Sequence, residues 1–152
     1  MMKFRIVNDE KLIDFSNLEV PVCENNVLNI VIKPFIYLDG RKPRLPRKQS
    51  NGYKLIDDTK LFFKTILSEL TNNFDSENDK FEVFIKVNKG KDKLGSADLD
   101  NYCKAILDGI TSTNKVWKDD KQIDGLFVTR DYVEEMSSNI RVQIKQKYNG
   151  FN

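Results

Sequence analysis

Phe81, Val83, Ile85 and Val87 alternate with Glu82 and Lys86, a period of two that predicts a strand over 80–87 with one buried face. The same period returns where Ile140, Val142 and Ile144 alternate with Arg141, Gln143 and Lys145, predicting a strand over 139–147. Over 122–133, Leu126, Val128 and Tyr132 share a side, a third strand. Val27 to Tyr37 is rich in β-branched and aromatic residues, with Leu28, Ile30 and Ile32 on one face. That strand ends near Pro34, which has no N–H for a ladder. Residues 3–7 suit a short strand, and 8–26 show no clean period. Two stretches change to the helical period. Phe62, Phe63, Ile66, Leu67 and Leu70 form one stripe in a helix over Asp57–Asn73, with Asp57 or Asp58 as its cap. Leu99, Cys103, Ile106 and Ile110 share a face in a second helix, from about Asp98 to Ile110. Gly40, Pro43, Pro46 and Gly52 punctuate a loop over 39–54, Gly90 and Gly95 a loop over 88–97, and 111–121 connects helix to strand. The order β-β-α-β-α-β-β predicts an α+β domain, a mixed β-sheet with two main helices packed largely on one face. A single domain spans 1–152, with 1–26 as an irregular lead-in.

Composition narrows the chemistry more than the fold. The chain has no histidine, which removes imidazole acids and bases, His-based triads and His-dependent zinc sites. Its two cysteines, Cys23 and Cys103, form no C-x-x-C pair, so neither a disulfide framework nor a thiolate zinc site is expected. Any catalysis must rest on carboxylates, Lys, Tyr, Ser, Cys or a metal. The balance of 25 basic against 23 acidic residues leaves a net charge of +2, so only the distribution of charge is informative. No apolar run approaches the ~20 residues of a membrane span, and MMKFRIVNDEK lacks the apolar centre of a signal peptide. The expectation is a reduced, cytoplasmic protein without a membrane partner.

The densest acidic group is Asp98-Leu99-Asp100-Asn101, with Lys104 one helical turn after Asp100 and Asp119-Asp120 beyond the helix end. Inside a helix, positions two apart face nearly opposite ways. Asp98 and Asp100 converge only if Asp98 sits at the cap or in the extended segment before it, a place that Asp favours. A return loop at Asp119-Asp120 would bring further carboxylates back toward the helix start. Converging carboxylates repel one another, and a hard cation such as Mg²⁺ relieves that repulsion. An isolated D-x-D is more often a helix cap followed by a dipole-favoured acid, and Asp119-Asp120 alone is an ordinary turn.

The longer pattern is more specific. Asp98-Leu-Asp-Asn-Tyr-Cys-Lys-Ala-Ile-Leu-Asp108-Gly-Ile, followed by Val116-Trp117-Lys118-Asp119-Asp120-Lys-Gln-Ile123, closely resembles the signature of the RusA family of Holliday-junction resolvases. That signature reads D-x-D-N-x-x-K-x-x-x-D, then a hydrophobic–aromatic pair and D-D-x-Q-[IV]; the match runs from 96 to about 130 with its spacing preserved. The resemblance implies an α+β homodimer of a bacterial or phage-infected cell that binds four-way junctions. It implies cutting of two strands of like polarity with Mg²⁺, for which Mn²⁺ is a substitute. It also implies Asp98, Asp100 and Asp120 as catalytic carboxylates, Lys104 as their basic partner, and Asp119 as a further metal ligand. The family's Pro-Pro-Ser-x-Asn-like turn is only loosely echoed by Arg41–Lys48 and Asn51-Gly52-Tyr53.

Two basic strips stand apart from the resemblance. Arg41, Lys42, Arg44, Arg47 and Lys48 fall within eight residues that contain no acid, and Pro43 and Pro46 keep the segment extended. Such a strip suits phosphate contacts with counterion release. Lys86, Lys89, Lys91 and Lys93 lead into Asp98, opposed only by Asp92, and form a second strip. The first strip is read as a DNA contact in preference to a solvated loop; for the second, a solvated loop is an equal alternative. Trp117 and Tyr102 read as packing residues and Cys103 as a small buried hydrophobe. The alternatives to a junction resolvase are a non-catalytic junction binder and a metal-dependent nuclease for flaps or single strands.

Overall fold

A computed structural model of the chain describes residues 5–7, 12–14, 18–47, 58–68, 70, 74 and 77–147. Among the described residues the larger sheet has five strands. In chain order these are β3 (Val22–Glu24), β4 (Val27–Ile32), β6 (Phe81–Lys89), β7 (Ile123–Tyr132) and β8 (Asn139–Gln146). They lie side by side as β3-β4-β8-β6-β7. A smaller sheet, β1-β2-β5, is built from β1 (Arg5–Val7), β2 (Leu12–Asp14) and β5 (Ile36–Tyr37). The helices are α1 (Asp58–Leu67) and α2 (Leu99–Thr111), and a 3₁₀ turn spans Asp120–Gln122. The expected α+β class with a mixed sheet is what the chain adopts.

The alternating positions do what their period requires. Leu28, Ile30 and Ile32 of β4, Phe81, Val83, Ile85 and Val87 of β6, and Ile140, Val142 and Ile144 of β8 are all buried in one core cluster. The helices supply Phe62, Phe63, Ile66 and Leu67 from α1 and Tyr102, Cys103, Ile106 and Ile110 from α2 to that cluster. They meet closely because Gly109 lacks a side chain. A Cβ there would lie 2.5 Å from a Phe63 ring carbon and 3.1 Å from Thr59 Cγ2. Trp117 is fully buried beside Phe81, its ring 5.6 Å away, and its indole N–H donates to Thr111 Oγ1 at 2.7 Å. It is a core anchor, as its sequence setting indicated.

Three readings need correction. The lead-in is not irregular throughout, since 8–26 contains β2 and β3. β3 and β4 form a hairpin whose central residues, Asn25 and Asn26, have φ of 52° and 63°. Two positive φ values in a two-residue loop match strand twist, and Asn tolerates them better than most residues. The strand from Val27 does end near Pro34, at Ile32, but the β-rich run continues beyond it as the separate strand β5, which pairs with β2 in the other sheet. The first helix is shorter than its apolar stripe. Asp58 is its first residue, and Asp57 and 71–73 lie outside the described residues. Buried Asp58 accepts a hydrogen bond from Tyr37 Oη, tying the helix start to the smaller sheet. Burial and that bond to Asp58 push the Tyr37 hydroxyl well above the usual phenol range.

β6 is the hinge of the arrangement. It pairs antiparallel with β8 and parallel with β7, from Phe81 opposite Ile123 to Lys89 opposite Tyr132. A parallel pair needs a crossover connection, and α2 provides it. The helix therefore starts near the C-terminal end of β6 and returns the chain to the N-terminal end.

Candidate active site

The loop that delivers the chain from β6 to α2 is held by the segment before β8. The Gly90 N–H donates to Ser138 Oγ at 2.8 Å, and that hydroxyl donates to Asp92 Oδ1 at 2.5 Å. The Ser138 N–H donates to Asp92 Oδ2 at 2.7 Å, while Lys91 and Asp92 N–H groups donate to the carbonyls of Glu135 and Met136. Burial alone would raise the Asp92 carboxyl. The donations from Ser138 and from the Leu94 N–H outweigh it and hold the carboxyl below its ordinary value. Gly90 is required by the close approach, since a Cβ would sit 2.7 Å from the Glu135 oxygen. Fully buried Ser138 carries no signal in the sequence pattern; only its bonds reveal its role.

Asp98 occupies the N-cap of α2 with φ −58° and ψ 139°, outside the helix as its pairing with Asp100 requires. Its backbone carbonyl accepts from the Asn101 N–H at 3.0 Å, but its side chain makes no cap hydrogen bond. An Asp at this position ordinarily satisfies a first-turn N–H and stabilises the helix by about 1 kcal/mol. Here the carboxylate is exposed instead. Asp100 in the first turn and Lys104 one turn later are exposed as well. None of the three enters an ion pair among the described residues. Cys103, between them in sequence, is buried, and burial followed by the Asp100 charge pushes its thiol up. It is a small core residue.

The peptide groups just before Asp98 are fixed from two sides. The Ala97 N–H donates to Tyr102 Oη at 3.0 Å, and the Ala97 carbonyl accepts from Arg130 Nη2. Tyr102 is 3% exposed, so it packs as expected and also supplies an acceptor. Arg130 was not singled out by the sequence, although the period of two places it on the same side of the strand as Leu126, Val128 and Tyr132.

Asp119 and Asp120 belong to a different corner. Asp119 caps the 3₁₀ turn, its carboxylate accepting from the Lys121 N–H at 2.9 Å. Gln122, 5% exposed, completes the corner. Its Oε1 accepts from the Lys118 and Asp119 N–H groups at 2.9 and 3.2 Å, and its Nε2 donates to the Asp79 carbonyl at 2.9 Å. The Gln of the D-D-x-Q pattern is thus the residue that holds the acidic turn. Asp120 is exposed, with no ion pair among the described residues. This corner adjoins the N-terminal end of β6, whereas Asp98 stands near the other end. The 13 residues of α2 lie between them, a length of about 20 Å. The expected return loop does not bring Asp119-Asp120 back to the helix start, because the parallel β6–β7 pairing places the start of β7 beside Phe81. Accordingly, no three acidic or thiol side chains among the described residues form a metal-holding group. The donor chemistry still suits Mg²⁺, which takes oxygen ligands and commonly needs only one or two protein carboxylates beside water and substrate phosphate.

The two basic strips separate into residues that meet and residues that do not. Lys42, Arg44, Arg47 and Lys93 line one notch of about 230 Å³, together with Gly95, Ala97 and Tyr102. The notch therefore abuts the peptide that leads into Asp98. Arg41 lies apart, paired with Asp39 at 2.8 Å and stacked on Tyr37 at 4.3 Å. Lys89 turns back onto the loop, donating to the carbonyls of Gly90 (2.8 Å) and Asp92. Two of its three donors are thus used within the loop. Lys91 faces Glu134 at 3.7 Å, and Lys86 pairs with Asp131 at 3.1 Å. Lys48 lies outside the described residues.

Residues 69–145 match the family described as Endodeoxyribonuclease RusA. That span is just over half of the 152 residues and contains β6, α2, the acidic 3₁₀ turn, β7 and most of β8. The chain belongs to the RusA endodeoxyribonuclease family. Comparison with individual curated proteins gives no match. The family span includes Asp98, Asp100, Lys104, Asp119, Asp120 and Arg130, so both acidic corners are parts of a RusA nuclease domain. The 42–47 side of the notch lies before the matched span. No helix among the described residues is long and apolar enough to cross a membrane.

The two corners differ in what their side chains do for stability. Asp98→Ala is expected to change unfolding free energy by less than about 0.5 kcal/mol, because no cap bond is removed. Gln122→Ala is expected to cost about 1–3 kcal/mol, because three part-buried backbone groups lose their partner. Urea unfolding of both variants checks the contrast.

Proposed function

We propose that this RusA-family chain is a Mg²⁺-dependent endonuclease that resolves four-way DNA junctions as a homodimer. The observation that carries the reading is the exposed group Asp98, Asp100 and Lys104 at the start of α2, placed beside a notch lined by four basic side chains. Asp98 and Asp100 are the proposed carboxylates at one end of the helix, and Lys104 supplies positive charge toward the scissile phosphate. Mg²⁺, when bound, would supply an activated water and charge neutralisation; Mn²⁺ is the expected substitute. The notch binds a backbone phosphate next to the cutting site.

A dimer answers the separation of the acids. Asp120 is about one helix length from Asp98 in the same chain, so the two contribute to one site only if they come from different copies. A closed two-fold dimer forms two such sites from one interface, matching the approximate two-fold symmetry of a junction and the need for paired incisions. In this reading Asp119 is the cap of its turn, its carboxylate engaged by the Lys121 N–H, and Asp120 is the acid offered to the site. A non-catalytic junction binder would have no use for uncommitted carboxylates at both corners. A flap or single-strand nuclease shares the phosphate chemistry and differs in the shape of its DNA.

A cleavage panel with Mg²⁺ and matched four-way, flap, duplex and single-stranded substrates tests the reading. Paired cuts in the four-way substrate are expected, with loss of cleavage but retained binding in Asp98→Asn, Asp100→Asn and Asp120→Asn. Cleavage of flaps in preference to junctions would reassign the substrate, and cleavage by two of the three variants would remove the site assignment. The notch is tested separately by salt. Replacing Lys42, Arg44, Arg47 and Lys93 with Ala should flatten the log–log salt dependence of junction binding by about 0.9 for each phosphate no longer neutralised. An unchanged slope would move the phosphate site elsewhere.

A further inference from the structure

The position of Arg130 is anomalous for its strand. It pairs in register with Val87, a fully buried residue, on the side of β7 that faces α2. The alternating pattern asks for an apolar side chain there. Instead a guanidinium is half-buried, and its Nε is buried with no hydrogen-bond partner. Leaving a charged group's N–H unpaired is costly, so packing alone does not account for this residue. What the guanidinium does make is the bond to the Ala97 carbonyl, the oxygen of the peptide that enters Asp98. Tyr102 takes the N–H on the other side of Ala97. Together they fix both peptide planes flanking the Ala97 Cα.

We infer that Arg130 and Tyr102 are positioning residues for Asp98. The inference rests on the reading of Asp98 as a catalytic carboxylate. Two orientations compete for an Asp at a helix start. In one, the side chain folds back and caps a first-turn N–H; in the other, it projects outward. They differ in the Asp98 χ1, and the Asp98 φ, which turns with the Ala97–Asp98 peptide, decides whether the capping rotamer reaches that N–H. Arg130 holds that peptide by its oxygen, and Tyr102 holds the preceding one by its N–H. The carboxylate is left uncapped and exposed. Neither side chain needs to touch DNA for this role.

The test uses Arg130→Met, Arg130→Lys and Tyr102→Phe in the full chain. Methionine keeps the length without the donor, lysine keeps a donor, and phenylalanine removes only the acceptor for the Ala97 N–H. Single-turnover cleavage of the four-way substrate by Arg130→Met is expected to fall roughly 10- to 100-fold, as is usual when a group supporting a site ligand is removed. Junction affinity should stay within about twofold, Arg130→Lys should recover most of the rate, and Tyr102→Phe should be slowed with affinity unchanged. Hydrogen exchange at the Ala97 amide should quicken in Arg130→Met and Tyr102→Phe. A further readout separates positioning from general packing. Asp98→Ala should lower the melting temperature in the Arg130→Met background, where Asp98 is free to cap, but not in the parent chain. Wild-type cleavage rates in both Arg130→Met and Tyr102→Phe would overturn the inference. So would a loss confined to junction affinity, which would make Arg130 a DNA contact. If Arg130→Met does not fold, Tyr102→Phe decides by the same criteria. Full cleavage by Asp98→Asn is a different failure, since it removes the reading on which the inference rests.

Discussion

β6 and β7 run parallel, and a parallel pair cannot be closed by a tight turn. The chain must leave one end of β6, cross the sheet face and re-enter at the other end. α2 is that crossing. Its N-terminus is committed to one end of the sheet and the Asp119-Asp120 turn to the opposite end. Everything proposed about the active site follows from this constraint. It gives Asp98 and Asp100 a helix start to stand on, and it prevents Asp120 from joining them within one chain. The close packing of α2 on α1 at Gly109, and the anchoring of Trp117 against Phe81, keep the crossing helix in one position.

Local rigidity at the acidic corners is obtained by polar bonds to backbone. At one end, Ser138 and Asp92 brace the loop that follows β6, and Arg130 and Tyr102 hold Ala97. At the other, Gln122 bridges the N–H groups of Lys118 and Asp119 to the Asp79 carbonyl. In neither corner are Asp98, Asp100 or Asp120 used for this bracing. Asp98 even forgoes the cap bond that its position offers. Carboxylates left out of the structural bonding are free to meet substrate, while neighbouring side chains brace the backbone.

The sequence made much of this legible, for physical reasons that differ by element. β6 and β8 are half-buried strands flanked by polar residues, so the period of two was unambiguous. α2 was legible from its stripe, and the position of Asp98 outside the helix from the geometry of a D-x-D pair. β3 was missed because it is three residues long, although Asn25-Asn26 carried a hairpin signal. The separation of Asp98 from Asp120 was not legible. Their spacing in sequence is the same whether the intervening connection returns to its start or crosses a sheet, and only strand direction decides. Lys89 and Lys93 look alike in a basic strip, yet one bonds its own loop and the other lines the notch. Side-chain direction in an irregular loop has no period to reveal it.

Subunit mixing tests the central claim most directly, that each cutting site draws its acids from two copies. Asp98→Asn and Asp120→Asn chains are each expected to be inactive alone. When mixed and allowed to exchange, the heterodimer has one site carrying both substitutions and one site carrying neither. Mixing is expected to restore cleavage, as single nicks in the four-way substrate rather than paired cuts. A mixture that forms heterodimers and remains inactive would contradict it, and would place a complete set of acids within each chain.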